Sequence, residues 1–231
     1  MNIKRKIAEG VAGWLMYEYH SMRADLFDEK YLVTPISNIL NGVFSNRVIA
    51  EYKHPILNTQ TVGAGRPPQI DFVITNNQKI DIAIESKWYG DTPVKVSDII
   101  WDLIRLELLH REYNATCYFV LGGKKKKLAN LFESKRFQEP RENGRKRPVL
   151  RIKKERKQSL RLDSPPEKRA KLILDKMKQY KEISMPSAII TGYPSFYPID
   201  CRNSDHQVYV WEISSFKNKP RFYPRDNKNY K

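Results

Sequence analysis

Apolar residues change their spacing several times along the chain, and each change predicts an element. Ile7, Val11, Trp14, Leu15 and Met22 recur near helical spacing and predict an amphipathic helix over 6–23. PISNILNGVF, at 35–44, reads as a second helix opened by Pro35. NRVIAEYKHPIL, at 46–57, contains a strand whose apolar positions are interrupted by Glu51, and TVGAGRPPQ after it is a Gly/Pro-rich loop. IDFVIT (70–75) and KIDIAIESKW (79–88) come next as two strands, and the turn formers Asn76-Asn77-Gln78 between them predict a hairpin. The period then lengthens. Ile99, Ile100, Leu103, Leu106 and Leu109 or His110 mark a helix over 97–112. TCYFVL, at 116–121, is a short strand of the buried type that ends at Gly122-Gly123, with a short helix, LANLF, beyond it.

The last hundred residues are less regular. PVLRIKK and SLRLD suggest a basic hairpin. Ser164 to Glu167 has the spacing of a capping box, opening a basic helix from Pro165 to about Lys181. SAIITGY and QVYVWEISS are two further strands, and the tail over 217–231 is polar and expected to be loose. This order predicts a single α/β domain over 1–231, a mixed sheet flanked by helices. The helix between Trp88 and Thr116 would be a right-handed crossover joining parallel strands.

Length and composition narrow the picture. At 231 residues the chain can bury an ample core, and 40% hydrophobic residues argue against wholesale disorder. No apolar run approaches the roughly 18 residues of a membrane-crossing helix. The basic start MNIKRK resembles the beginning of an export signal, but Glu9 interrupts the apolar stretch after it and no small-residue cleavage site is evident. With two cysteines, Cys117 and Cys201, no disulfide framework can be built, so a reducing, cytoplasmic setting is expected.

Charge adds the first functional hint. The chain carries a net +16, and residues 124–178 hold 21 Lys and Arg against 7 Asp and Glu. That basic insert, taken as about 124–181, therefore contains nearly all the excess. Like charge at this density opposes compaction without an anionic partner, which points to nucleic acid first and an anionic membrane surface second. Lys124, Lys125, Lys126, Lys127, Arg145, Lys146, Arg147, Lys153 and Lys154 are the candidate phosphate contacts.

The chemistry lies in the hairpin. Alternation on a strand puts Glu85 and Lys87 on one face, with Ile80, Ile82 and Ile84 packing the other. Counting outward from the turn brings Asp71 beside Glu85 or Ser86. Asp71 and Glu85 would then offer hard oxygen ligands to Mg²⁺ or Mn²⁺, with the Ser86 carbonyl as a third. Lys87 would orient a water or stabilise charge in the transition state of phosphoryl chemistry. Glu-x-Lys alone is a weak signal, because solvent-facing strands carry it often. Here the strand is too apolar for an exposed ribbon, and the Asp falls at a matching position one strand earlier.

Asp71 with Glu85-Ser86-Lys87, flanked by IDFVI and IAIE, resembles the PD-(D/E)xK nuclease superfamily. The resemblance covers roughly Ile7 to Gly123 and implies a restriction-endonuclease-like mixed sheet and metal-dependent hydrolysis of phosphodiesters. DNA is favoured over RNA as the substrate; the resemblance further implies a defence role, with a homodimer common among similar enzymes. Gln69 and Ile70 precede Asp71 in place of the motif's proline. The family often supplies another acidic residue from the first helix or first strand; Glu18 and Glu51 both qualify, and Glu51 is preferred.

Other residues carry less. Asp98 and Asp102 share a helical face and are expected to cap or solvate the helix. His20, His54, His110 and His206 lack metal-ligand spacing and read as surface or interface residues, and Cys117 reads as core. Trp88, Tyr89, Tyr193, Phe196 and Tyr197 could stack on bases. The competing readings are a non-catalytic nucleic-acid-binding protein with a degenerate nuclease fold, and a membrane-surface or ribosome-associated protein that uses the same basic tract.

Overall fold

A computed structural model describes residues 2–60, 67–140, 146–152, 157–200, 202, 205–216 and 220–231. Helices α1 (Ile3–His20) and α2 (Val33–Phe44) precede strands β1 (Val48–Lys53), β2 (Gln69–Asn76) and β3 (Lys79–Tyr89). Helix α3 (Val96–Tyr113) leads to β4 (Thr116–Lys124) and α4 (Lys125–Glu133). The basic stretch continues through β5 (Gln138–Pro140), β6 (Lys146–Pro148), β7 (Gln158–Arg161) and α5 (Glu167–Gln179). The last strands are β8 (Met185–Pro186), β9 (Ala188–Thr191), β10 (Ser195–Tyr197), β11 (His206–Ser215) and β12 (Arg221–Phe222).

One eight-stranded sheet runs in the order β1-β2-β3-β4-β11-β9-β7, with β10 also paired to β11. Strands β3 and β4 are parallel, joined by the α3 crossover, and the other pairings of this sheet are antiparallel. The sheet is mixed and largely antiparallel, with helices on both faces. Ile7, Val11 and Leu15 of α1 and Ile36 and Leu40 of α2 cover Phe72, Ile84, Val120 and Val208 on one side. On the other, Ile99, Leu103 and Leu106 of α3, Leu131 of α4 and Ile173 of α5 cover Val73, Ala83, Phe119 and Trp211. Among the described residues no helix is long and apolar enough to cross a membrane.

The hairpin forms at the expected place, with two central residues, Asn77 and Gln78, at φ 48° and 65°. Both left-handed, they match the twist of the strands they join. A bulge then breaks the alternation of β3. Pairing steps from Thr75–Ile80 to Ile74–Ile82, leaving Asp81 as an extra residue on β3. Ile80 therefore packs on the α3 side while Ile82 and Ile84 face α1 and α2, so the three isoleucines do not share a face as alternation predicts. Beyond the bulge, Glu85 and Lys87 keep the common face that the site needs.

Several boundaries move for physical reasons. Helix α1 starts at Ile3, where the Asn2 side chain accepts the Arg5 N–H at 3.1 Å, and stops before Met22, which sits at φ 60°. Helix α2 starts at Val33, so Pro35 lies inside its first turn, where no intrahelical N–H is required. Strand β4 runs through Gly122-Gly123 to Lys124 instead of ending there. A Cβ on Gly122 would lie 3.0 Å from the Trp88 ring, and one on Gly123 would lie 2.6 Å from the Tyr89 carbonyl oxygen. The two glycines let β4 approach β3 closely, a packing role that turn chemistry alone does not suggest.

The basic stretch is woven into the core. Leu128, Leu131, Phe137, Leu150, Leu160, Leu162 and Ile173 are all buried. SLR pairs with β9 through Leu160–Ile189, and β6 pairs with β5, so the expected basic hairpin gives way to two separate pairings. The capping box does not form either. Helix α5 starts at Glu167 without a side-chain cap, and the Ser164 hydroxyl instead donates to Asp163 at 3.0 Å. Pro166 keeps Pro165 out of helical geometry and delays the start. The tail is anchored beyond residue 219. The buried Tyr230 hydroxyl donates to the Leu162 carbonyl at 2.7 Å, its ring stacks on Phe222, and the Asn227 and Asn229 amides donate to the Asp163 carbonyl.

The glycine contrast is testable. Gly123→Ala should lower stability by about 1–3 kcal/mol, because its Cβ meets backbone that cannot yield. Gly42→Ala, with open space around it inside α2, should raise stability by about 0.5–1 kcal/mol. Urea midpoints at unchanged slope would show both shifts.

Candidate active site at the joint of β3 and α3

Asp71 comes to the site through β2 pairing. Phe72 lies opposite Ile84, so Asp71 meets the β3 residues just beyond it. Its Oδ2 accepts the Ser86 backbone N–H at 2.7 Å and the Ser86 hydroxyl at 2.7 Å. Ser86, expected to offer a carbonyl ligand, thus makes its visible contribution by orienting Asp71.

Glu85 and Lys87 lie on the α3 side, in register with Phe119 and Leu121 of the parallel strand β4. The Glu85 side chain is fully buried. Helix α3 meets it with Asp102 and Arg105, three residues apart on one helical face. Arg105 Nη2 lies 2.7 Å from Asp102 Oδ1 and 2.8 Å from Glu85 Oε1, while its Nη1 donates to the Gln69 carbonyl at 2.9 Å. Lys87 Nζ lies 2.8 Å from Glu29 Oε1 and 3.3 Å from Asp102 Oδ2. The charges alternate as Glu29, Lys87, Asp102, Arg105, Glu85.

Burial pushes the Glu85 carboxyl well above the usual carboxylate range; Arg105 opposes this, and Asp102 and Asp71 add to it. Burial likewise raises Asp102 against the pull of Arg105 and Lys87. It raises Glu29 against the pull of Lys87. Burial alone would pull the Lys87 ammonium down, but Asp102 and Glu29 outweigh it and hold it above the usual lysine range. Glu85 Oε2 is buried with no hydrogen-bond donor among the described residues, while Oε1 is held by Arg105 and Asp102 Oδ2 by Lys87.

His54 supports this corner from beneath. It is buried, contrary to its reading as a surface or interface residue. Its Nδ1 accepts the Ile56 and Leu57 N–H groups at 3.3 and 3.2 Å, which leaves Nε2 to donate to the Arg105 carbonyl at 3.1 Å. Burial lowers its pKa to about 4. His206 is also buried, stacks on Trp88 at 5.6 Å, and is lowered by burial to about 4. Cys117 is core, as expected.

The two candidates for an additional acid differ: Glu51 falls opposite Asp71 in the β1–β2 ladder, between the Ala50–Phe72 and Tyr52–Ile70 pairs. Glu18 is taken by Arg23 and by the Tyr31 hydroxyl. Glu51 is exposed on edge strand β1, at φ 51°. Glu29 stands beside Lys87 instead. It lies in the irregular segment between α1 and α2, where no periodicity singles it out. Asp102 is buried beside Arg105 rather than solvated on its helix. The signal for it is Asp102 and Arg105 together inside the apolar run IIWDLIRLELL.

A cleft of about 750 Å³ opens over Lys87, Asp102 and Arg105, with Glu29 and Trp88 among its walls. Lys95, Lys176, Gln179 and Tyr180 line it too, so α5 carries the basic stretch to its edge. Lys124 is exposed at the end of β4, and Lys125, Lys126 and Lys127 fill the first turn of α4. Cations at a helix N-terminus oppose its dipole, so helix stability does not explain them. Lys127 donates to the Gly90 carbonyl at 3.1 Å and pairs with Asp91, at the cleft rim. The Arg147 carbonyl accepts from Arg169. Arg145, Lys153 and Lys154 lie outside the described residues, as does the side chain of Lys146.

No family model, curated protein or solved structure matches this chain. Among the described residues, no three Asp, Glu, His or Cys side chains converge closely enough to hold a metal unaided. Mg²⁺ does not need three: it keeps several waters and takes one or two carboxylates. Glu85, whose Oε2 is buried without a donor, and the neighbouring Asp71 fit that requirement.

Glu85 and His54 tie stability to pH with opposite signs. The folded state binds the Glu85 proton more tightly than the unfolded chain does, so its contribution to stability falls as pH rises through the folded pKa. Glu85→Gln should therefore raise the melting temperature at pH 7, by roughly 2–4 °C for about 1 kcal/mol, and the gain should shrink in acid. The His54 contribution is complete above the ordinary histidine pKa of about 6.5 and is lost as pH falls towards 4. His54→Gln should flatten the loss of urea stability over that interval.

Proposed function

We propose that this protein is a divalent-metal-dependent nuclease with a restriction-endonuclease-like fold, acting on nucleic acid and on DNA first. The observation that carries the reading is the meeting of Asp71, Glu85 and Lys87 at the joint of β3 and α3, with Glu85 buried against Arg105 and with Lys87 and Arg105 lining a cleft. Buried carboxylates that repel one another are costly to keep, and a cation that arrives with the substrate gives them a purpose.

Glu85 and Asp71 would hold Mg²⁺ or Mn²⁺, and Ser86 would keep the Asp71 carboxylate turned. When bound, the ion polarises a phosphoryl oxygen and lowers the pKa of a water beside it. Lys87 stays charged through the neutral range, because Asp102 and Glu29 hold its proton. Its ammonium lines the cleft, where it can orient the attacking water or meet negative charge developing on the phosphate. Lys95 and Lys176 on the cleft walls suit the neighbouring phosphates, and the lysines from Lys124 to Lys127 extend the positive surface past the rim. A second reading, a non-catalytic nucleic-acid binder, draws on those same lysines.

Cleavage of circular DNA, linear DNA and RNA, with and without Mg²⁺, separates the two. Glu85→Ala and Lys87→Ala should each reduce metal-dependent cutting at least about 100-fold and leave salt-sensitive binding in place. Equal cutting by wild type and both variants contradicts the nuclease. Metal-independent binding with no cutting of any substrate supports the binder.

A further inference from the structure

Arg105 is placed as a cation is placed between two acids. Its Nη2 alone reaches both Asp102, at 2.7 Å, and Glu85, at 2.8 Å. It is also held on two further sides. Nη1 donates to the Gln69 carbonyl at 2.9 Å, and the Arg105 carbonyl takes the His54 Nε2 proton at 3.1 Å. With a side chain only 13% exposed, it is a fixed part of the corner and not a swinging surface group.

Charge points the same way. Lys87 and Arg105 sit among Asp71, Glu85, Asp102 and Glu29, so the guanidinium already supplies positive charge between Glu85 and Asp102. Two-metal phosphodiesterases use a pair of ions to neutralise the attacking and the leaving oxygens. A guanidinium bridging two carboxylates can supply the second positive centre without leaving the protein.

We propose that Arg105 stands in place of a second metal, so that the site takes a single divalent cation. This rests on the metal-dependent reading of the same site. It adds the stoichiometry of the site and a role for a helix residue outside the Asp71, Glu85, Lys87 set. Removing the guanidinium charge should open the Glu85–Asp102 pair to a further ion.

Mn²⁺ alone, without nucleic acid, is the probe, titrated into the full chain by calorimetry and read by electron paramagnetic resonance. Wild type should bind one ion per chain with an uncoupled six-line spectrum, and Glu85→Gln should lose it. Arg105→Met should bind a second ion or bind the first at least tenfold more tightly. Arg105→Lys, which keeps the charge, should remain at one ion and serves if the Met variant does not fold. Two coupled ions in wild type would overturn the role of Arg105 while leaving the metal-dependent reading intact. So would stoichiometry and affinity unchanged in a folded Arg105→Met. No bound ion in wild type would overturn both.

Discussion

Glu85 on β3 and Asp102 on α3 hold two carboxylates against each other inside the protein, with Arg105 between them. The rest of the structure is arranged around keeping that contact. The parallel pairing of β3 with β4 requires a crossover, and the crossover helix is the element that carries Asp102 and Arg105 back over the strand that carries Glu85 and Lys87. Gln69 and His54 fix the arginine from the neighbouring strand and from the segment after β1. A core built for stability alone would fill this corner with apolar side chains, since well-packed hydrophobic groups commonly match or exceed a buried ion pair.

Glu29 and Asp102 line the cleft together with Lys87 and Arg105; Lys176 of α5 stands on its wall, and the lysines at the start of α4 lie at or past its rim. The leucines and isoleucines of the basic stretch are buried in the same core as α3, which turns its lysines outward. Four lysines at the start of α4 cost helix stability, as does the buried acid pair, and both costs fall around one cleft.

Much of the hairpin was legible because its signals are local. The turn formers Asn76-Asn77-Gln78 and strand alternation sufficed to bring Asp71 beside Glu85 or Ser86, and the helix between Trp88 and Thr116 announced a crossover. The bulge at Asp81 was not legible, because strict alternation assumes an unbroken ladder; it moved Ile80 to the other face. Glu29 escaped notice because irregular segments carry no period, and its role exists only through a lysine far away in the chain. Asp102 escaped because an acid on a helix is ordinary until a buried arginine is found beside it. The boundaries of the basic stretch failed for a related reason: Leu160 pairs with Ile189 and Tyr230 with Leu162, long-range contacts that no window of sequence contains.

The central claim is that the buried carboxylates form a cation site that receives a phosphodiester. Its most direct test is a crystal structure of the protein with Ca²⁺ and a short DNA duplex. The account predicts an ion against Glu85 and Asp71, with a backbone phosphate in the cleft beside Lys87. DNA bound only along the basic surface, with no ion at Glu85 and the cleft empty, would contradict it.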